Sequence, residues 1–487
     1  MLENRSVKEI ISLIKKKEIS VREVVNFYLE RIKKYNPSLN AIVSIKDEEQ
    51  IINEANDKDK NFDESKPLFG LPLASKDLLD VVDFPTTYGF PGYKDYFPNK
   101  NSIIVDRQLD AGGIMIGKTN TAELGVGAHT ANRLFGITPN IYGNTQSSGG
   151  SSGGAAASVA VGVNTVAQGS DGGGSVRIPA SFCGLFGMIG TQGRIPRRHA
   201  GLMSWLPVNY SRIGPISWYV EDSALLFDVM AGPHPENESM TIQEKENFLL
   251  DLNKGIKGKK IAIPYNFGSR VVDKEVFTIF NNNLKLFEKL GANLEEIKFD
   301  FDLNDLEQPF HRHLMHTFSF CVNEQFYNID PKKLMPHVKN TIERGKKVMA
   351  SDYAKALAQL SEYRFKVDQI FSKFDYVISP TVAIPPHKCN QRPNIIDGKI
   401  DISEISDHEM FNENNYDYSS WIFVLAQFTA PFNWSGNPAV SLPCGFTKSG
   451  LPIGLQLAGK KRSELSLFQA SKAFEEIKPW HQNRPNI

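Results

Sequence analysis

Three short stretches carry the residue types that could do chemistry: GLPLASKD at 70–77, GGSSGG at 149–154 and GSDGGGSVR at 169–177. Glycine beside serine can cradle a phosphate, expose a nucleophilic serine on a sharp turn, or aim backbone N–H groups at a developing charge. A phosphate loop needs a lysine and a hydroxyl residue directly after its last glycine. A dinucleotide site needs G-x-G-x-x-G between a strand and a helix. SDGGGSVR meets neither pattern. Gly149-Gly150-Ser151-Ser152-Gly153 spells the G-x-S-x-G elbow of serine hydrolases, with His481 as a late histidine and Asp407 or Asp417 as the acid. That elbow follows a buried strand, whereas NIYGNTQSS, before it, is polar and turn-like.

The remaining reading joins the two glycine clusters. Ser151 and Ser175 stand 24 residues apart, each among glycines. A serine hydroxyl is a poor nucleophile without a base. A lysine can be that base if burial lowers its pKa and leaves it neutral. Lys76 lies in a largely apolar stretch. Its plainer reading is a surface pair with Asp77, because lysines are rarely buried. His311, His313 and His316, in HRHLMH, complete no familiar metal-ligand spacing with Asp305, Glu307 or Cys321, so no metal is expected.

In this order and spacing, GLPLASKD, GGSSGG and GSDGGGSVRIPASFCGLFG resemble the amidase signature family. NPSLNAIV (36–43), GKTNTAELG (117–125), RLFGITPN (133–140), GPIS (214–217) and FNWSGNPAVSLPCGF…GLPIGLQLAG (432–459) extend the likeness over nearly the whole chain. The resemblance implies a catalytic triad: Ser175 as nucleophile, Ser151 as a bridging serine on a cis peptide bond, and Lys76 as base. It implies that N–H groups of Gly172, Gly173, Gly174 and Ser175 receive the oxyanion, with Ser152, Asp171 and Arg177 in support. Asp171 and Arg177 also read as a buried ion pair. Gly172 departs from the family, where many members carry a larger residue, and this predicts a looser oxyanion loop.

The implied function is hydrolysis of the C–N bond of a small-molecule or oligomeric amide, with no cofactor. SDGGGSVRIPAS is similar to the motif of hydrolases that open 6-aminohexanoate cyclic dimers. The amidase subunit of a tRNA-dependent amidotransferase is the alternative, but its pattern before the final hairpin is not found. A scaffold with a dead site fits poorly with a complete triad. Family members vary over the part that corresponds to 300–420 and line the substrate pocket there, which singles out Phe318, Cys321 and the histidines His311, His313 and His316 as pocket candidates.

These residues need elements to hold them. Ser6 with Glu9 and Ser20 with Glu23 have capping-box spacing, each before an apolar stripe at helical period. LFGLPLASKDLLDV (68–81), GGIMIGKTN (112–120), KKIAIP (259–264) and YVISPT (376–381) read as buried strands. AAASVAVGV (155–163) and EDSALLFDVMAG (221–232) read as helices, and AVSLPCGF (439–446) with PIGLQLAG (452–459) as strand–turn–strand. Strands alternating with helices predict an α/β fold. With the family likeness, that becomes one domain over 1–487, a large mixed sheet surrounded by helices, and a signature core at 68–190.

The bulk numbers agree. The 487 residues are 41% hydrophobic and 23% charged, an ordinary globular balance. Fifty-five basic residues cancel 55 acidic ones, and no basic stripe appears, so neither nucleic acid nor a membrane surface is an expected partner. Cys183, Cys321, Cys389 and Cys444 are scattered, which fits free thiols in a reducing compartment. The charged N-terminus has no apolar signal segment, and the expected location is cytoplasmic. The expected partner is a small amide; a homodimer is compatible with the sequence.

Overall fold

The computed structural model describes residues 2–197, 210–236, 241–264, 271–299, 313–396, 398–412 and 424–485. Both capping boxes form and open α1 (Val7–Lys15) and α2 (Val21–Leu39). Their apolar stripes, Val7, Ile10 and Ile14, then Val21, Val24, Tyr28 and Ile32, are buried.

Two sheets follow. In the first, β1 (Ile42–Ile45), β2 (Pro72–Lys76) and β3 (Ile114–Thr119) take the order β1–β3–β2, with β2 parallel to β3. The second comprises β4 (Val166–Asp171), β5 (Phe186–Ile189), β6 (Arg212–Ser217), β7 (Lys260–Pro264), β8 (Asn293–Ile297), β9 (Tyr376–Pro380), β10 (Ala439–Phe446) and β11 (Pro452–Gly459). Its order is β8–β7–β9–β11–β10–β5–β6–β4. Strand β7 runs parallel to both neighbours and the other pairings are antiparallel, so the sheet is mixed.

Helix α3 (Gly153–Ala160) is buried along its whole length. Its sequence, GGAAASVA, is small because neighbours press on it: a Cβ on Gly154 would fall 2.4 Å from the Asn120 nitrogen. The glycine density around 149–154 therefore serves packing, not flexibility. The other helices used below are α4 (Arg177–Phe182), α5 (Val220–Met230), α6 (His316–Ile329), α7 (Pro336–Gly345), α8 (Ala350–Lys373), α9 (Ala430–Ser435) and α10 (Glu464–Ile477). One continuous apolar core runs from Leu2 to Trp480 and includes residues of both sheets, consistent with the single-domain expectation. Among the described residues no helix is long and apolar enough to cross a membrane.

The architecture places the chemistry. Strand β2 ends at Lys76, β4 ends at Asp171, and α3 begins just after Ser152. Strands β2 and β4 pack side by side, so these three ends converge.

Candidate active site

Lys76 is fully buried, and its Nζ lies 2.7 Å from Ser151 Oγ, 2.7 Å from Ser152 Oγ and 3.0 Å from Ser170 Oγ. Gly150–Ser151 is a cis peptide bond. The expected surface pair of Lys76 with Asp77 does not form, because Asp77 turns to the buried Lys118. Burial pushes the Lys76 ammonium well below its ordinary range; the Asp171 charge opposes this and the Arg197 charge adds to it. A neutral amine has two N–H donors and one lone pair. Ser152 donates its own hydroxyl hydrogen to the Ser170 carbonyl at 3.2 Å, so it accepts from Lys76. In the neutral form the second N–H and the lone pair are left for Ser170 and Ser151. The arrangement can withdraw a proton from Ser151.

The loop from Gly172 to Ser175 is held by Asp171. Its carboxylate accepts the N–H groups of Gly174 at 2.7 Å, Val176 at 3.1 Å and Arg177 at 3.4 Å. Arg177 pairs with it at 2.9 Å, both side chains being fully buried. Every other Arg177 donor is satisfied, by the Thr429 carbonyl, Gln456 and Asn433. Burial would raise the Asp171 carboxyl, but the Arg177 guanidinium, Asn433 and the backbone donors outweigh it and hold it at about 2. This satisfied pair is the expected ion pair, and it also buttresses the loop.

One expectation for the loop needs correction. Gly174 cannot offer its N–H to an oxyanion, because that donor is committed to Asp171. Among the described residues, no such bond engages the N–H groups of Gly172, Gly173 and Ser175, and these remain the available donors. Gly172 is not required by the backbone. Of the three glycines only Gly174 stands in the left-handed half of backbone space, at φ +139°, where a Cβ would lie 2.3 Å from Thr429 Oγ1. At Gly172 a Cβ would meet Ser211 at an ordinary 3.6 Å.

Ser151, Ser170, Gly172, Gly173 and Ser175 line one cavity. Leu124, Val126, Ile178, Met315, Phe318 and Trp434 make its walls mainly apolar. From 300–420, α6 and α7 contribute His316, Phe318, Ser319, Asn323 and Thr341. Phe318 thus lines the cavity; Cys321 does not, and is exposed. The reason is helical: Cys321 lies about 200° round α6 from Ser319, opposite the buried stripe.

The elbow reading fails on geometry. A strand, Gly143–Ser147, does precede Ser151, but it is half-exposed and pairs with the short Pro139–Asn140 and bridges Lys388, outside both sheets. His481 packs against Tyr219, ring centroids 4.9 Å apart at a 42° tilt, and does not line the cavity. Asp407 opens a short helix, Asp407–Asn412, and Asp417 lies outside the described residues. Of the histidine cluster, His316 lines the cavity and His311 lies outside the described residues. Among the described residues no three His, Cys, Asp or Glu side chains are grouped to hold a metal ion.

Sequence reasoning overlooked Ser170, Arg197, Tyr210, Gln427 and Trp434 as site residues. Ser170 was readable, since it stands inside GSDGGGSVR. The others reach the cavity from distant segments, and no local pattern marks them.

Comparison with known proteins agrees with this geometry. The family model described as Amidase matches residues 23–468. An acylamidase of Rhodococcus erythropolis is 31% identical over 485 residues, covering 99% of this chain and 97% of the relative. A glutamyl-tRNA(Gln) amidotransferase subunit from Carboxydothermus hydrogenoformans is also 31% identical, with 99% of each chain covered. The crystal structure of a bacterial aryl acylamidase of the amidase signature family superposes with a TM-score of 0.86 at 26% identity, covering 99% of this chain and 97% of the other.

Proposed function

This chain belongs to the amidase signature family, an enzyme acting on amide bonds, and on that footing we propose that it hydrolyses small carboxylic amides with an apolar acyl group through an acyl-enzyme on Ser175. The observation that carries the reading is the buried Lys76 amine, which meets three serine hydroxyls and is pushed toward neutrality. Lys76 takes the Ser151 proton as Ser151 takes that of Ser175. Ser175 Oγ attacks the amide carbonyl, and the charge that forms on its oxygen is received by the N–H groups of Gly172, Gly173 and Ser175. The proton returns along the same relay to the leaving nitrogen. Water then enters by the reverse path and releases the acid.

The acyl group is read from the walls. Leucine, valine, isoleucine, methionine, phenylalanine and tryptophan side chains line the cavity, and Arg197 is the charged residue that joins them. A screen of p-nitroanilides and simple amides, with aliphatic and aromatic acyl groups, tests this. Turnover of apolar acyl amides that disappears in Ser175→Ala is the expected result. No turnover across the panel would refute it.

The amidotransferase likeness favours a second reading, in which the chain releases ammonia from glutamine for a partner. The cavity counts against it, since among the described residues no carboxylate lines it to hold an α-ammonium group. Glutaminase activity, together with co-purification of a tRNA-binding protein, would restore that reading.

A further inference from the structure

A second, smaller cavity adjoins the catalytic one. Its walls are mainly hydrocarbon, with Val367, Ile370 and Phe371 of α8 together with Phe428 and Phe432, beside Tyr363 and Ser379. Among the described residues the two cavities share a single lining residue, Gln427.

Gln427 is only 2% exposed. Its Nε2 donates to the Val271 carbonyl at 2.9 Å. A carbonyl can only accept, so this bond fixes which end of the amide is which. The other end, Oε1, is buried and has no hydrogen-bond partner among the described residues. Buried acceptors are nearly always satisfied, and this one belongs to the side chain that lines both cavities, which makes a bound substrate's donor its candidate partner. The turn that carries Gln427 is hydrogen-bonded to the catalytic loop. Two residues on, Thr429 donates its hydroxyl to the Gly173 carbonyl at 2.6 Å, and its own carbonyl accepts from Arg177 at 2.9 Å. Gln456 holds the Phe428 carbonyl at 2.7 Å. Gln427 is therefore registered to the loop that carries Ser175.

We propose that Gln427 is a specificity-determining residue, whose Oε1 accepts a hydrogen bond from a second N–H or O–H group in the substrate. The substrate class is an amide with one hydrocarbon segment in the catalytic cavity, a donor at Gln427, and a further hydrocarbon segment in the cavity beyond. The proposal rests on the amide-hydrolase reading above. It differs from a purely apolar pocket in what it rejects: a site built around a buried acceptor discriminates against the isostere that lacks the donor.

The test uses ω-(benzoylamino)acyl p-nitroanilides of increasing chain length, each paired with its ω-(benzoyloxy)acyl ester twin, which replaces the N–H by oxygen. Calorimetric binding to the Ser175→Ala protein is measured, so no turnover is needed. The best amide should bind at least tenfold more tightly than its twin. In Ser175→Ala/Gln427→Leu, checked for folding by its thermal melt, the ratio should fall to within twofold. Equal binding of the twins, no binding of either, or a preference that survives Gln427→Leu would each overturn the proposal. Preferential binding to Ser175→Ala without turnover by the wild type would instead count against hydrolysis and leave the role of Gln427 standing.

Discussion

Asp77 gives its carboxylate to Lys118 at 3.0 Å and not to Lys76, its neighbour in the chain. Both partners of this pair are fully buried, and Thr87 completes the carboxylate's bonding. Consecutive residues of a strand point to opposite faces, so Asp77 is turned away from the Lys76 amine. Lys76 is thus left among hydroxyls, with no carboxylate at ion-pairing distance among the described residues. A lysine so placed gains little from its charge and much from losing it.

Loss of the amine should therefore remove the base. Lys76→Ala is expected to lower kcat by about 10²- to 10⁴-fold, the range for a general base. Lys76→Arg should do no better, because a guanidinium does not deprotonate in proteins. His481→Ala, against Tyr219 and outside the cavity, should leave kcat within about twofold. Rates on a p-nitroanilide check all three. Activity retained in Lys76→Ala but lost in His481→Ala would replace the lysine relay with a histidine one.

The same amine should leave a trace in stability. The folded protein holds Lys76 with its pKa pushed well below 10.5, while the unfolded chain titrates near that value. Between the two, the unfolded state binds more protons, so this group makes stability rise with pH up to about 10.5. The slope is at most about 1.4 kcal/mol per pH unit. Lys76→Met should be inactive and show a shallower rise than wild type between neutral pH and 10. Urea unfolding across that range measures it, and parallel curves would mean that Lys76 is charged in the folded state.

What the sequence made legible follows from how local each signal is. Lys76, Ser151 and Ser175 stand out because glycine and apolar neighbours surround them within a few residues. The strand–turn–strand at 439–459 was equally readable, since β10 and β11 pair antiparallel across a short turn. The role of Gly174 was not, because its N–H is claimed by a carboxylate that folds back from the end of β4. Cys321 shows a different limit. It lies on a helix, and which face of that helix is buried depends on what packs against it. Tyr210, Gln427 and Trp434 come from three distant segments, and only tertiary packing unites them.

The glycines of the loop should separate in mutagenesis. Gly174→Ala forces a side chain into left-handed backbone space and onto Thr429, whose hydroxyl holds Gly173. A cost of about 1–3 kcal/mol in stability is expected, with kcat falling by 10-fold or more as the N–H donors shift. Gly172→Ala meets Ser211 at contact distance and should keep Tm within about 2 °C and kcat within about threefold. Calorimetric melts and anilide kinetics read both. A Gly172→Ala loss equal to that of Gly174→Ala would show that the loop depends on freedom at 172.

Two buried groups behind the cavity wall should move stability in opposite directions with pH. His129 donates to or accepts from Ser147 at 2.7 Å and sits 6.2 Å from the His387 ring. Burial first, then the nearness of His387 and His337, pushes His129 down to about 3. The unfolded chain takes up that proton near pH 6.5, so stability from this group is full above 6.5 and falls as pH drops toward 3. Glu123, whose Oε1 accepts the Met335 N–H at 2.6 Å, is pushed up to about 8 by burial. There the folded state keeps a proton that the unfolded chain releases near 4.3, so stability falls as pH rises from about 4 to 8. Each group changes stability by at most about 1.4 kcal/mol per pH unit within its window. Glu123→Gln, which keeps the bond to Met335, should gain stability relative to wild type at pH 8 and little at pH 4. His129→Asn should lose less than wild type between pH 6.5 and 4. Denaturant melts at pH 4, 6.5 and 8 read both signs together. Parallel pH curves for a variant and wild type would mean that its group titrates normally in the fold.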